Sequence, residues 1–125
     1  MQEPSVSEAL RRALRRRCPR CGTGTLFRSR FRLREACGDC SLVLRREAGA
    51  MTGQMYLSAA VTEVFAAVLV LGLWFFTDLS TPQALALGLP LVAGFSYLVL
   101  PYSMGVWVAV EFLSDRVGER ADRRA

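Results

Sequence analysis

Residues 51–115 contain no arginine or lysine, and this stretch constrains the fold more than any other feature of the chain. Within it, residues 55–76 carry a single charge and residues 84–110 carry none. A helix of 22 residues spans about 33 Å, close to the roughly 30 Å hydrocarbon core of a bilayer. Residues 64–76 lack the polar face of helical period that a soluble helix needs. We therefore predict two membrane helices rather than two core helices of a soluble bundle.

The two apolar segments are close enough in sequence to form a helical hairpin. We predict a first transmembrane helix at residues 55–76, an extracytoplasmic loop at 77–81, and a second helix at 82–113 with a kink near Pro101. Residues 104–113 either continue the second helix or lie along the membrane interface.

Positive charge is concentrated outside the apolar stretch. Residues 1–50 carry twelve arginines against five acids, and the predicted polar cytoplasmic tail, residues 114–125, carries four more arginines. The predicted loop contains Asp78 and no positive charge. The positive-inside bias therefore predicts a multi-pass protein of the cytoplasmic (inner) membrane with both termini in the cytoplasm. The first 17 residues are basic rather than apolar, so we expect the first helix to act as an uncleaved insertion signal.

The four cysteines all lie in the basic half, as two Cys-x-x-Cys pairs separated by fifteen residues. They are Cys18, Cys21, Cys37 and Cys40. This spacing is typical of a structural zinc site, in which four thiolates surround the metal as a tetrahedron. The chain has no histidine, so an intrachain site must be all-cysteine. We predict a zinc ribbon over residues 18–48, preceded by a basic amphipathic segment, 1–17, and followed by a linker, 49–54.

Other chemistry of the cysteine pairs is less favoured. Disulfides do not suit a cytoplasmic site, because that compartment is reducing. A thioredoxin-like redox pair normally lies beside a βαβ pattern, which is missing around both pairs. Catalytic zinc needs an open coordination position, and four cysteines fill all of them. We therefore predict no enzymatic activity and no small-molecule substrate.

Residues 27–34, which lie between the cysteine pairs, alternate strictly between arginine and other side chains. We predict one half-buried strand with Phe27, Phe31 and Leu33 on its core face, and a partner strand at residues 42–44. The opposite face is a basic surface of Arg28, Arg30, Arg32 and Arg34. We expect membrane lipids as its partner, or a role in topology alone, and nucleic acid is the less favoured alternative. Gly22 is suited to a left-handed turn after the first pair, whereas Ser41 follows the second, so the two turns need not be identical.

A short helix is predicted before the ribbon, because Ser5 and Glu8 match a capping box. The apolar residues that can share one face of this helix are Val6, Leu10, Ala13 and Leu14. Such a basic amphipathic helix beside a membrane typically rests on anionic lipid.

Glu63 lies eight residues into the first predicted membrane helix, about 12 Å deep. A carboxylate at such a depth must face another helix, be protonated, or meet water. It is a candidate polar site in the membrane, for a proton, an ion or a partner protein. The alternative is a structural hydrogen bond across the hairpin, for instance with Ser96.

The run from Leu14 to Gly22, then Gly24, Leu26-Phe27 and the second cysteine pair, followed by two apolar segments, resembles the bacterial family catalogued as domain of unknown function 983. The resemblance covers about residues 10–113. It implies a cytoplasmic zinc ribbon joined to a two-span hairpin, without an established activity. The sequence departs from the family pattern at residues 49–53, at Ser41, and at Glu63, where many members have histidine.

These observations together predict a small membrane protein with an N-terminal all-β zinc ribbon followed by an α-helical transmembrane hairpin. We expect a non-enzymatic adaptor or an assembly accessory of a membrane complex, with another membrane protein or a second copy of the chain as partner. Two alternatives remain open. One is a small subunit of a transport or respiratory complex that uses Glu63, and the other is a membrane-tethered nucleic-acid binder.

Overall fold

The computed structural model describes residues 3–45 and 52–124 of the chain. Their elements are α1 (Val6–Leu14), β1 (Phe27–Ser29), β2 (Arg32–Leu33), α2 (Thr52–Phe76) and α3 (Thr81–Asp122), and β1 pairs antiparallel with β2. A small β unit that contains the cysteines is thus followed by two long helices. This arrangement confirms the predicted class, a ribbon followed by a helical hairpin.

Helices α2 and α3 are both long and apolar enough to cross a membrane. They pack as an antiparallel pair, in which the ring of Phe65 stacks on that of Phe95 with centroids 3.9 Å apart. Next to this pair, the Ser96 hydroxyl donates a hydrogen bond to the Thr62 hydroxyl at 3.3 Å. The connection between the helices is short, and the Ser80 backbone N–H donates to the Gln83 side chain at the start of α3.

Helix α3 is far longer than a membrane requires. Its 42 residues correspond to about 63 Å of helix, and it is continuous through Pro90 and Pro101. Residues 104–113 continue the helix, and so do residues 114–122, which the sequence suggests as a polar tail. Of the predicted linker, residues 52–54 belong to α2, and residues 49–51 lie outside the described residues.

Helix α1 packs antiparallel against the C-terminal part of α3. Its N-cap is Ser5, whose hydroxyl accepts a hydrogen bond from the Glu8 backbone N–H at 3.3 Å. The contact face differs from the predicted one, because the buried side chains are Ala9 and Ala13 whereas Val6 and Leu14 are exposed. Small side chains allow the two backbones to approach closely, and this geometry could not be read from apolar periodicity.

Gly105 makes that close approach possible. A Cβ atom at this position would lie 2.9 Å from the Ala13 carbonyl oxygen, nearer than real Cβ atoms come. At the other end of the contact, the Arg116 guanidinium donates to the Pro4 carbonyl oxygen at 2.8 Å and pairs with the Glu3 carboxylate. α3 thus holds α1 at both ends.

A buried cluster joins the ribbon to α1 and α3. It consists of Ala13, Cys18, Leu26, Phe27, Cys37, Leu44, Val108 and Ala109. We refer to residues 3–45 together with residues 101–124 as the ribbon head, and to residues 52–100 as the membrane hairpin. The ribbon is therefore packed onto α3, the second of the two long helices, and not onto α2, which follows it directly in sequence.

The predicted single strand over Phe27–Arg34 is wrong, because the chain reverses at Arg30 and Phe31 to form the β1–β2 hairpin. The alternating pattern continues through the turn and therefore hides it. The expected partner strand at residues 42–44 is reduced to an isolated bridge between Ala36 and Val43.

Candidate metal centre

Each cysteine pair lies in a tight turn closed by backbone hydrogen bonds. In the first turn the Cys18 N–H donates to the Gly24 carbonyl at 2.8 Å, and the Gly22 N–H donates to the Cys18 carbonyl at 2.9 Å. In the second turn the Cys37 N–H donates to the Leu42 carbonyl at 2.9 Å, and the Ser41 N–H to the Cys37 carbonyl at 3.1 Å. The two turns are thus closely similar.

The residue after each pair adopts a left-handed conformation. Gly22 has φ of 74° and Ser41 has φ of 57°. Glycine takes this conformation without steric cost, but a residue with a Cβ pays about 1–2 kcal/mol. The turns are therefore alike despite the serine, and the strain at Ser41 is maintained by the surrounding ribbon.

The four thiols converge on one point. All four Sγ atoms lie within 4.8 Å of one another, and the Cys18–Cys40 and Cys21–Cys37 sulfur separations are 3.6 and 3.7 Å. A tetrahedral zinc–thiolate centre with bonds of about 2.3 Å has sulfur atoms about 3.8 Å apart. The cluster therefore has the dimensions of a four-coordinate metal site, and these four residues could hold a metal ion.

Gly24 allows the second pair to reach the first. A Cβ atom on Gly24 would lie 2.3 Å from the Cys37 Sγ, so a side chain at this position would displace that thiol. Gly38 lies inside the second turn, yet a Cβ there would meet no atom within 4 Å. Gly24 is thus a shaping residue of the site.

The thiols differ in proton affinity. Burial raises the pKa of Cys18 and also that of Cys40. Burial acts in the same direction on Cys21, but hydrogen bonds from the Thr23 hydroxyl and the Gly24 backbone N–H outweigh it and lower the pKa of Cys21 to about 6. A bound dication would favour the thiolate form of all four cysteines.

The β1–β2 hairpin beside the metal site carries the predicted basic surface. The arginines at positions 28, 30, 32 and 34 are all exposed, but the turn divides them. Arg28, Arg32 and Arg34 line one cleft, whereas the Arg30 guanidinium lies 5.1 Å from the ring centre of Tyr97 on α3. The structure thus gathers three of the four predicted basic residues.

Glu63 lies on an exposed face of α2. The expected hydrogen bond with Ser96 is replaced by that between Ser96 and Thr62, and Ser96 also donates to the Val92 carbonyl oxygen at 2.9 Å. The Glu63 carboxylate therefore points away from the packed seam between the two helices.

Sequence reasoning missed several residues that shape this part of the molecule. Gly24 follows the first cysteine pair in the string Cys-Gly-x-Gly, which could have indicated a close approach. Arg16 gave no such signal, although its guanidinium lies 4.7 Å from the ring centre of Phe27 and donates to the Arg30 carbonyl oxygen at 3.1 Å. Gly53 is in contact with the Trp107 indole, because a Cβ there would lie 2.0 Å from that ring.

The protein therefore belongs to a class in which a four-cysteine ribbon is joined to two helices of membrane length and packs on the second of them. The model of the family described as "Protein of unknown function (DUF983)" matches residues 27–112, which include the second cysteine pair and most of both long helices. The match covers more than half of the chain, and the chain belongs to this family. No curated protein and no solved structure matches it.

Proposed function

We propose that this chain is a non-enzymatic accessory protein of the cytoplasmic membrane, an adaptor or assembly factor whose zinc ribbon is its interaction surface. The observation that carries the proposal is the closed tetrad of thiols in the ribbon, which is joined to α3 by a shared core. Four thiolates leave no coordination position for water or substrate, so the metal supports a surface rather than a reaction.

Zinc is the proposed occupant because a tetrahedral all-thiolate site in a reducing compartment suits it. Iron can also take four thiolates, but an iron centre absorbs visible light and zinc does not. A ribbon of this size cannot bury much apolar surface, so metal binding would supply much of its folding free energy.

The proposed orientation places the ribbon head in the cytoplasm. Arginines occur throughout the head, whereas the connection between α2 and α3 contains Asp78 and no positive charge. The positive-inside bias supports this orientation.

Site-specific photo-cross-linking in native membranes tests the adaptor proposal. A photoreactive residue at Val43, which is 56% exposed on the head, should capture a defined protein, and Cys37→Ser should abolish that adduct. The matched position is Trp74, which is 81% exposed at the opposite end of α2, and its adducts should not depend on Cys37. Adducts at Val43 that persist without the metal ligands would contradict the proposal.

A second candidate function is a small subunit of a transport or respiratory complex, in which Glu63 contacts a partner membrane protein. It is favoured by the outward position of Glu63 on α2, since a lipid-facing carboxylate is costly without a partner. Glu63→Gln should then reduce co-purification of the partner, whereas Thr62→Val, on the seam with α3, should leave it unchanged. Equal co-purification with Glu63→Gln would contradict this function.

A further inference from the structure

A basic cleft of about 980 Å³ lies between the β1–β2 hairpin and α3. Its lining includes the side chains of Arg28, Arg32, Arg34 and Arg45, and Glu35 is its acidic member. Four arginines and one glutamate give the lining a formal charge of +3. Planar guanidinium groups bind phosphate in a bidentate manner, so this cleft has the donors that a phosphate group requires.

The position of the cleft along α3 relates it to the membrane surface. Exposed aromatic residues lie at both ends of α2, with Tyr56 at one end and Phe75 at the other, 19 residues apart or about 28 Å. This separation matches a hydrocarbon core, and such aromatic belts mark its two interfaces.

The pairing of α2 with α3 shows which residue of α3 lies at the same membrane depth as Tyr56. Contacts of Gly53 with Trp107 and of Thr62 with Ser96 place Tyr56 level with Tyr102, which is also exposed. Met104 lines the cleft and lies two residues beyond Tyr102, about 3 Å along the helix. The cleft is therefore at the level of the phospholipid headgroups.

The tip of the β1–β2 hairpin extends towards the membrane side of this belt. The ring of Phe31 contacts that of Tyr97 edge-on with centroids 5.0 Å apart, and Tyr97 lies five residues, about 7.5 Å, deeper than Tyr102. Arg30 lies over the same tyrosine ring. An arginine and aromatic rings at this depth are typical of the bilayer interface, where the guanidinium reaches headgroups and the rings contact the upper acyl chains.

We propose that this cleft binds the phosphate of an anionic phospholipid in the cytoplasmic leaflet, a site that rests on the membrane orientation proposed above. The arginines bind the phosphate, and Phe31, Leu33 and Met104, which also line the cleft, contact the glycerol and the first acyl carbons. A soluble phosphate would use only the charged part of this lining. A nucleic acid would need the cleft to face open cytoplasm rather than the bilayer.

Native mass spectrometry of the full zinc-loaded chain tests the proposal directly. The protein is released from micelles that contain equal amounts of phosphatidylglycerol and phosphatidylcholine, and the ratio of the retained lipids is measured. We expect the wild type to retain phosphatidylglycerol preferentially, and Arg28→Gln with Arg34→Gln to lower this preference about tenfold. The matched control is Arg123→Gln with Arg124→Gln, which removes the same charge at the far end of α3 and should retain the preference.

Three results would overturn the proposal. The wild type could show no preference for phosphatidylglycerol, or the two double variants could lose the preference equally, which would indicate general charge attraction. Soluble glycerol phosphate could displace the lipid at equimolar concentration, which would indicate a site for a soluble ligand. Zinc content and protease access from each side of reconstituted vesicles are measured on the same samples. Zinc content shows whether the head is folded, and protease access shows whether the proposed orientation is correct.

Discussion

The ribbon head and the membrane hairpin are stabilised in different ways. The head buries a compact cluster of side chains around the cysteine tetrad, and every buried residue of α3 lies between Pro101 and Ala109. In the hairpin, by contrast, none of residues 55–100 is buried, and large apolar side chains such as Trp74 and Phe76 are 81% and 88% exposed. The hairpin therefore presents the apolar surface of a pair of helices long enough to cross a membrane, whereas the head has a small core and four cysteines that could hold a metal ion.

The two regions nevertheless share one helix. α3 begins in the hairpin and ends in the head, where it packs against α1 through Gly105 and joins the core through Val108. A partner that binds the head would therefore contact the continuation of a helix that also forms half of the hairpin.

Removal of the metal should produce the largest difference in stability between the two regions. We expect a chelator, or Cys18→Ser, to unfold the head while α2 and the first part of α3 stay helical in detergent, because structural zinc supplies about 10–16 kcal/mol to small metal domains. Limited proteolysis should then cut residues 3–45 and spare residues 55–100. Ser29→Ala, at an exposed position of β1, is the control and should keep the head resistant to proteolysis. A head that resists proteolysis without metal would show that the two regions are not stabilised differently.

Gly24→Ala should weaken metal binding without removing a ligand. The added Cβ would collide with the Cys37 Sγ, so we expect zinc affinity to fall about 10–100-fold in competition with a chromophoric chelator. Gly38→Ala has open space around its Cβ and should change the affinity little. Equal affinities of the two variants would show that Gly24 does not shape the site.

Gly105→Ala should loosen the contact between α1 and α3 while the metal site stays loaded. Its Cβ meets the Ala13 carbonyl oxygen, and overpacking of this kind costs about 1–3 kcal/mol. Hydrogen exchange of the α1 amides should become faster. Gly94→Ala, in the hairpin, meets no atom within 4 Å and is the control. Unchanged exchange in the Gly105 variant would indicate that α1 is held by the ribbon alone.

The smallest expected effect concerns Glu3. Hydrogen bonds from Arg116 and Arg120 lower the pKa of this carboxyl below its usual 4.5. A lowered folded-state pKa stabilises the folded state above the unfolded pKa, and this contribution is lost as the pH falls through the folded value. Wild type should therefore protect the first turn of α1 slightly better than Glu3→Gln at pH 7, and the difference should vanish as the pH falls below the lowered pKa of Glu3. A difference that is independent of pH would contradict this account.

The sequence predicted those features that depend on composition and spacing. The charge-free runs indicated α2 and α3, and the spacing of the cysteine pairs indicated the tetrad. Features that depend on contacts between distant residues were not predictable. The turn at Arg30 is hidden because alternation continues through it, and the docking of α1 depends on a glycine about 90 positions away in the sequence. The left-handed Ser41 was unexpected because its residue type disfavours that conformation.

The proposed zinc site is best tested by the metal content of the full chain, purified from membranes under reducing conditions. We predict one zinc per chain, four thiols that resist alkylation until a chelator is added, and loss of the metal in Cys37→Ser. Iron in place of zinc, disulfides between the cysteines, or a folded head that contains no metal would contradict it.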